Sequence, residues 1–219
     1  EISITDTSAS VTYDVTYTDA SEINLISNSV SLNKVGTNAD VTITNGTSNN
    51  PTITLSNITG DGTLGISINA GTARNGVNLA PSEGPSAIFT VDNTAPTLTV
   101  SSSSPTLTNL PFVVNFDFFD TLLSAPDSTI SGFTIADINI INGIASAFSG
   151  SNGSYSATIT PTNSGNVSIS VAAGAAQDSH GLNNTLSNTL VLSFDAMAPT
   201  VSLTSSTVKV NSAYTATIG

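Results

Sequence analysis

Hydrophobic and polar residues alternate along many short stretches of this chain, with a period of two residues. Clear examples are residues 112–118, Phe-Val-Val-Asn-Phe-Asp-Phe, and residues 167–171, Val-Ser-Ile-Ser-Val. Because successive side chains of a β-strand point to opposite faces, this alternation is typical of strands that bury one face. Gly, Asn, Asp and Pro separate the stretches, as they do at turns. The pattern therefore predicts an all-β fold.

Two series of such stretches follow each other along the chain. The predicted strands of the first series are residues 2–5, 11–17, 29–35, 41–44, 52–58, 64–68 and 87–91. Those of the second series are residues 98–101, 112–118, 138–141, 145–148, 155–159, 167–171 and 190–194. We expect the aromatic residues of the second series in its hydrophobic core. These residues are Phe112, Phe116, Phe118, Phe148 and Tyr155.

The two series are copies of one repeat. Residues 91–97, Val-Asp-Asn-Thr-Ala-Pro-Thr, recur as residues 194–200, Phe-Asp-Ala-Met-Ala-Pro-Thr, and residues 66–71 match 169–174, both with an offset of 103 residues. A repeat of this length has the size of an immunoglobulin-like β-sandwich and is far longer than a solenoid repeat. The sequence predicts tandem immunoglobulin-like β-sandwich domains of about seven strands each, in a linear array. The predicted domains are residues 1–93, residues 94–195 and the start of a third at residues 196–219.

Alternating strand directions predict which loops meet in space. In an up-and-down order, the loops after the second, fourth and sixth strands lie at the end where the chain enters the sandwich, and the last strand leaves at the opposite end. We therefore expect Asp92, on the linker into the second repeat, to lie near the loops at 119–135 and 175–184.

Composition narrows the range of partners. The chain is 8% charged, with Lys34, Arg74 and Lys209 as its only basic side chains and a net charge of −12. Nucleic acids and anionic membrane surfaces bind clustered Lys and Arg, so neither is expected as a partner. No apolar run approaches the roughly 20 residues that span a bilayer, so direct membrane insertion is not expected either. The absence of Cys excludes disulfides and thiolate metal sites.

Acidic residues gather at the predicted N-terminal end of the second repeat without basic neighbours. Converging carboxylates repel one another, and a hard cation such as calcium, which takes six to eight oxygen ligands, relieves that repulsion. The alternative is that these residues form solvated Asx turns. The acidic residues of this region are Asp92, Asp117, Asp120, Asp127 and Asp178.

The matching loop of the first repeat carries Arg74 in place of an acid. We expect Arg74 to pair there with Asp19 or Glu22, and we expect no metal site.

His180 is the only histidine and follows Asp178 and Ser179. Three consecutive residues cannot form a nucleophile, base and acid relay, so we interpret His180 as a solvated loop residue. A glycosidase or an aromatic sugar-binding platform is not expected either, because Trp is absent and aromatic residues make up only 5% of the chain. The sequence therefore predicts a protein that is not an enzyme.

The motifs resemble a known family. They are the linker at 91–97, Gly-Phe-Thr-Ile-Ala-Asp-Ile at 132–138, the Asn-Gly pair at 142–143 and Val-Ala-Ala-Gly-Ala-Ala-Gln-Asp at 171–178. They resemble the bacterial Ig-like repeats of large secreted adhesins and biofilm-associated surface proteins. The resemblance implies calcium between neighbouring domains, at Asp92 and Asp178, and at Asp195 with a following domain. Relative to the usual Asp-x-x-Gly-Asn loop of the family, one residue is inserted before Asn183, so this loop departs from the family's pattern.

The resemblance implies a protein that is secreted, extracellular or at the bacterial cell surface. The leading hypothesis is a stalk whose neighbouring repeats are its partners, with Pro96 and Pro199 limiting bending at the linkers. One alternative is a subunit of a filament or S-layer that binds other copies of itself. Another is a directly adhesive domain that binds a host or surface receptor through residues 119–132, where Phe119, Leu122 and Leu123 are apolar.

Overall fold

The computed structural model describes residues 3–4, 10–120 and 130–204. Within these ranges two hydrophobic cores are present. One contains buried residues between Val11 and Val91, and the other contains buried residues between Leu98 and Leu192. The described residues include no helix that is long and apolar enough to cross a bilayer.

The second domain is a sandwich of two four-stranded sheets. One sheet has the order β13-β14-β11-β9 and the other has the order β10-β16-β15-β12. This division places the first, second, fourth and fifth main strands in one sheet and the third, sixth and seventh in the other, which is the immunoglobulin arrangement. Its strands, numbered along the whole chain, are β9 (Thr97–Ser101), β10 (Leu107–Thr108), β11 (Phe112–Phe119), β12 (Ile138–Ile141), β13 (Gly143–Ser151), β14 (Ser154–Pro161), β15 (Gly165–Val171) and β16 (Leu190–Phe194).

All seven strands predicted for this domain are present. The short β10, which the alternation of hydrophobic residues does not predict, pairs in parallel with β16. A single-turn 3₁₀ helix, Ile135–Asp137, precedes β12. Alternation explains the burial, because Phe112, Val114, Phe116 and Phe118 are buried in β11 while the residues between them face outward.

Aromatic rings fill the centre of the second core. Phe133 contacts the rings of four others at centroid distances of 5.2–5.6 Å. These neighbours are Phe116, Phe118, Phe148 and Tyr155. The predicted core aromatics are confirmed, with Phe148 and Tyr155 half-buried at its edge. Burying each large side chain stabilises the fold by about 1.5–3 kcal/mol.

The first domain is built around one long hairpin. Strands β4 and β5 pair along nearly their whole lengths, from Val30 opposite Ile68 to Thr44 opposite Thr52. The strands of this domain are β1 (Ser3–Ile4), β2 (Val11–Asp14), β3 (Glu22–Ile23), β4 (Val30–Thr44), β5 (Thr52–Ile68), β6 (Ala73–Asn75), β7 (Asn78–Leu79) and β8 (Phe89–Val91). A 3₁₀ turn, Ser27–Ser29, leads into β4.

The prediction of seven separate strands is wrong for this domain, because each long strand replaces two predicted ones. Ile53 and Ile66 lie in the same core, although 13 residues of straight strand would span about 40 Å. The hairpin must therefore fold over on itself. Its corner contains Gly36 (φ 72°) and Gly62 (φ 142°), where an added Cβ would lie 2.2 Å from the Asp61 carbonyl oxygen and 2.1 Å from that of Val35, respectively.

A small three-stranded sheet, β3-β6-β7, was also not predicted. Its strands contain two or three residues each, too few for the alternation of hydrophobic residues to identify them.

The ends of the second sandwich carry different loops. Thr97 at the start of β9 pairs with Phe119 at the end of β11, and Ile138 at the start of β12 pairs with Val171 at the end of β15. Asp120, residues 130–137 and the loop 172–189 therefore meet where the linker enters, at an end that we call the N-terminal pole. Strand β16 leaves at the opposite end, the C-terminal pole. For the described residues, the loop arrangement predicted from strand direction is confirmed, because Asp92 lies near Asp120 and His180.

Candidate functional site

The candidate site lies at the N-terminal pole of the second domain and begins with Asp92. This residue directly follows β8, and its side chain is only 2% exposed. Its Oδ1 atom accepts a hydrogen bond from the Thr94 amide at 3.1 Å. Its Oδ2 atom lies 2.9 Å from Nδ1 of His180. The linker carboxylate is thus held against the second domain by a side chain of the 172–189 loop.

Asp178 supplies the second carboxylate and shapes its own loop. Its Oδ1 atom accepts hydrogen bonds from the amides of His180 at 2.8 Å and Leu182 at 3.0 Å. The chain then turns at Gly181, which has a φ of 85°. The Oδ2 atom of Asp178 is buried and has no hydrogen-bond partner among the described residues. One oxygen therefore fixes the loop, and the other remains available for a ligand.

Asn184 anchors the far side of the same loop. It is 1% exposed, and its Oδ1 accepts a hydrogen bond from the Ala176 amide at 2.7 Å. Its Nδ2 donates to the carbonyl oxygens of Ala172 at 3.0 Å and Thr185 at 2.7 Å. These bonds hold the loop in one conformation, and that conformation sets the positions of Asp178 and His180.

The three side chains of the site lie close together. One potential ligand atom from each of Asp92, Asp178 and His180 lies within 4.8 Å of the other two. We call these three residues the junction cluster. Asp120 is a buried neighbour, 6% exposed, whose charge acts on Asp92.

The electrostatics of the junction cluster favour a cation. Burial raises the pKa of Asp92, and the charges of Asp120 and Asp178 raise it further. The hydrogen bond from the Thr94 amide and the neighbouring His180 lower this pKa but do not cancel the rise. Ionised Asp92 is therefore costly in this site, and a bound positive charge would offset that cost.

Two of the predicted metal ligands lie elsewhere. Asp117 is on the outward face of β11 and accepts a hydrogen bond from the Ser154 hydroxyl. Asp195 lies at the C-terminal pole, where its Oδ1 accepts a hydrogen bond from the Met197 amide at 2.9 Å. Asp127 lies outside the described residues. The structure thus brings Asp92 and Asp178 together, with Asp120 nearby.

The expectation of a solvated His180 is wrong. Its side chain is 23% exposed and contacts Asp92, because the turn after Asp178 directs it toward the linker. His180 lies two residues after a predicted ligand, and that spacing was the one sequence signal that could have identified it.

The contacts of His180 do not form a catalytic relay. Ser179 Oγ and Asp92 Oδ2 approach the same ring nitrogen, Nδ1, at 3.3 Å and 2.9 Å. A serine, histidine and acid relay requires the acid on one ring nitrogen and the nucleophile on the other.

The donor atoms of the junction cluster fit calcium in part. Carboxylate oxygens are its preferred ligands, and the unpartnered Oδ2 of Asp178 offers one in a buried position. The imidazole nitrogen is a ligand that calcium does not favour. Asp92 and Asp178, with Asp120 beside them, would hold a calcium ion. Its positive charge would offset the repulsion among these carboxylates.

The corresponding end of the first domain carries its own cation. The Arg74 guanidinium forms an ion pair with Glu22, as predicted, and both side chains are at least half exposed. Solvent screens this pair, so it contributes about 0–1 kcal/mol.

The first domain also holds the linker. Asp61, at the corner of the long hairpin, accepts hydrogen bonds from the Asn93 amide and the Thr94 hydroxyl, both at 2.6 Å. The Asn93 side chain donates to the Gly60 carbonyl at 2.8 Å. Residues 92–94 are therefore bonded to both domains.

Residues 92–194 match the model of a family described as "Bacterial Ig-like domain". Among solved structures, the chain is similar to the Escherichia coli adhesin FdeC, with 16% identity and a TM-score of 0.40 over 88% of this chain and 60% of that one. It is also similar to invasin, a bacterial integrin-binding protein, with 15% identity and a TM-score of 0.34 over 86% of this chain and 40% of that one. For domains 5–6 of the S-layer protein SbsC, the identity is 12% and the TM-score 0.27, over 90% and 93% of the two chains. No curated protein matches the sequence.

Proposed function

Residues 92–194 belong to the bacterial Ig-like domain family, and from this premise we propose that the chain is a spacer segment of a repetitive, secreted or surface-exposed bacterial protein. In this role the domains extend the protein and carry a binding region away from the cell, without catalysing a reaction. The observation that carries the proposal is the linker at residues 92–94, which is bonded to the domains on both sides.

The direction of the chain supports a spacer. The linker enters the second domain at the N-terminal pole, and β16 leaves at the C-terminal pole. Each added domain of this kind therefore lengthens the array. A domain whose two chain ends lay side by side would add mass to the array without increasing its length.

The linker is held by bonds that repeat along the chain. Asp61 binds the linker after the first domain, and Ser164, located 103 residues later, accepts a hydrogen bond from the Ala196 amide at 3.1 Å after the second. Pro96 is buried, and its carbonyl accepts a hydrogen bond from the Thr185 amide at 2.9 Å. Its fixed φ further limits bending.

Calcium is the ion that we propose for the junction cluster. It would bind the carboxylates of Asp92 and Asp178, offset their repulsion and connect the linker to the 172–189 loop. Only chain segments that are already close would be joined, so calcium would stiffen the junction without changing the fold of either domain.

A self-assembling filament or S-layer subunit is the second candidate. The outward face of the β10-β16-β15-β12 sheet exposes Leu107, Ile141 and Val191 at 61%, 70% and 49%. Apolar side chains on a sheet face can support contacts between copies. The net charge of −12 opposes such contacts, which is why we place the spacer first. The apolar residues Leu122 and Leu123 of a directly adhesive loop lie outside the described residues.

Small-angle scattering over a concentration series tests the proposal. We expect a monomer whose maximum dimension does not change with concentration. The Asp61→Ala variant should bend more at the junction and give a broader distance distribution, while both domains keep their melting temperatures. Asp14→Asn, an exposed change at the far end of the first domain, is the control and should match the parent chain. Growth of particle mass with concentration would refute the spacer and favour assembly.

A further inference from the structure

His180 gives the junction cluster a donor atom that calcium does not need. The chain contains one histidine and no cysteine, so His180 is its only imidazole or thiol ligand for a metal. Imidazole nitrogen favours zinc and neighbouring transition metals, whereas calcium and magnesium prefer oxygen. The nature of this side chain therefore bears on which ion the site selects.

The geometry of the three donors suits a small ion. Nδ1 of His180 lies 2.9 Å from Oδ2 of Asp92. Two ligand atoms on one tetrahedral zinc ion, each about 2.0–2.1 Å from the metal, are separated by roughly 3.3 Å. One carboxylate oxygen of Asp178 completes the set within 4.8 Å. Modest side-chain movement would place all three ligands around one ion.

The unpartnered oxygen of Asp178 is an independent indication of a ligand. Asp178 is 5% exposed, and its buried Oδ2 has no hydrogen-bond partner among the described residues. Its Oδ1 is fixed by two backbone amides, which orients the carboxylate as outer-shell hydrogen bonds orient metal ligands elsewhere. A buried, oriented and unpaired carboxylate oxygen next to an imidazole is the donor arrangement of a transition-metal site.

We propose that Asp92, Asp178 and His180 form a binding site for a divalent transition metal of the zinc class, as an alternative to calcium at the same junction. This inference rests on the proposed role of the junction cluster as a cation site. Three protein ligands leave a fourth position for water. We expect one such site among the described residues, because the corresponding position of the first domain is taken by the Arg74 guanidinium.

Zinc and calcium titrations of the tag-free chain test the inference. Tag removal is essential, because His180 must remain the sole histidine. We expect one equivalent of zinc to bind the parent chain and His180→Asn to weaken zinc binding by about tenfold or more. Calcium binding should not change in this variant, because the carboxylates remain. Asp178→Asn should weaken both ions, and Asp14→Asn should affect neither.

Nuclear magnetic resonance provides a direct readout at the single imidazole. We expect its ring resonances to shift on adding zinc and to keep nearly their positions on adding calcium. If His180→Asn unfolds the second domain, as judged by circular dichroism, His180→Gln provides the same test.

The outcomes separate this inference from the proposed function. Zinc binding that survives in His180→Asn, or imidazole resonances that do not respond to zinc, would overturn the inference even if calcium stiffens the junction. Zinc binding through His180 without any calcium effect would support the inference and remove calcium from the proposed function. If neither ion binds, the junction cluster is not a cation site.

Discussion

Asp178→Asn should have opposite effects on stability in the absence and presence of calcium. In chelator the variant removes one of the carboxylate charges that lie within 4.8 Å of each other. At an effective dielectric constant near 20, the repulsion of two unit charges at that distance is about 3.5 kcal/mol. The amide keeps Oδ1, but its two bonds to backbone amides become neutral and lose about 1 kcal/mol each. The net expectation is a gain of about 1.5 kcal/mol in unfolding free energy.

Calcium should reverse that order. At a calcium concentration about one hundred times the dissociation constant, binding adds about 2.7 kcal/mol to the parent chain. The variant has lost a ligand and gains little, so the parent should become the more stable protein by about 1–2 kcal/mol. Urea unfolding of the second domain in chelator and in calcium measures both differences, with Asp14→Asn as the charge control. Equal destabilisation of Asp178→Asn in both conditions would refute the reasoning, because it would make Asp178 only a turn residue.

Two other perturbations probe the core and the buried acid. Phe133→Ala should lower the unfolding free energy of the second domain by about 3–5 kcal/mol, because it leaves a cavity among four rings. Urea unfolding measures this change, and a decrease below about 1 kcal/mol would contradict the packing of Phe133 in the core. Burial is the main cause of the raised pKa of Asp92. Protonated Asp92 therefore stabilises the folded state at low pH, and this stabilisation is lost as the pH rises through the pKa of the folded state. In chelator, the unfolding free energy of Asp92→Asn should therefore fall less than that of the parent between about pH 4 and pH 7, and parallel pH profiles would contradict that assignment.

Local alternation was enough to predict the strands of the second domain. Each strand there ends near a residue that breaks the period, such as Asn142, whose φ is 64°. The same period also places Asp117 on the outer face, since Phe116 and Phe118 on either side of it are buried. Grouping Asp117 with the metal ligands overlooked that consequence of the pattern.

The long hairpin of the first domain could not be predicted from alternation. A strand that turns a corner keeps its alternation of hydrophobic and polar residues on both sides of the corner. Whether the two halves form one continuous strand depends on the pairing between β4 and β5, which is not a local property of the sequence. Glycine between two alternating stretches predicts a turn that separates two strands. The glycines at this corner instead allow two backbones to approach closely within one hairpin.

The candidate site could be predicted in its location but not in its composition. Strand direction placed Asp92 next to the loop that carries Asp178. The contact of His180 with Asp92 joins residues that are 88 positions apart, and it depends on the side-chain direction set by the turn at Gly181. A single sequence contains no local signal for that direction.

¹⁵N relaxation of the chain in saturating calcium shows whether the linker fixes the two domains relative to each other. We expect the amides of both domains, and those of residues 92–94, to report one common anisotropic tumbling motion. Two separate correlation times, together with fast internal motion at Asn93 and Thr94, would contradict it.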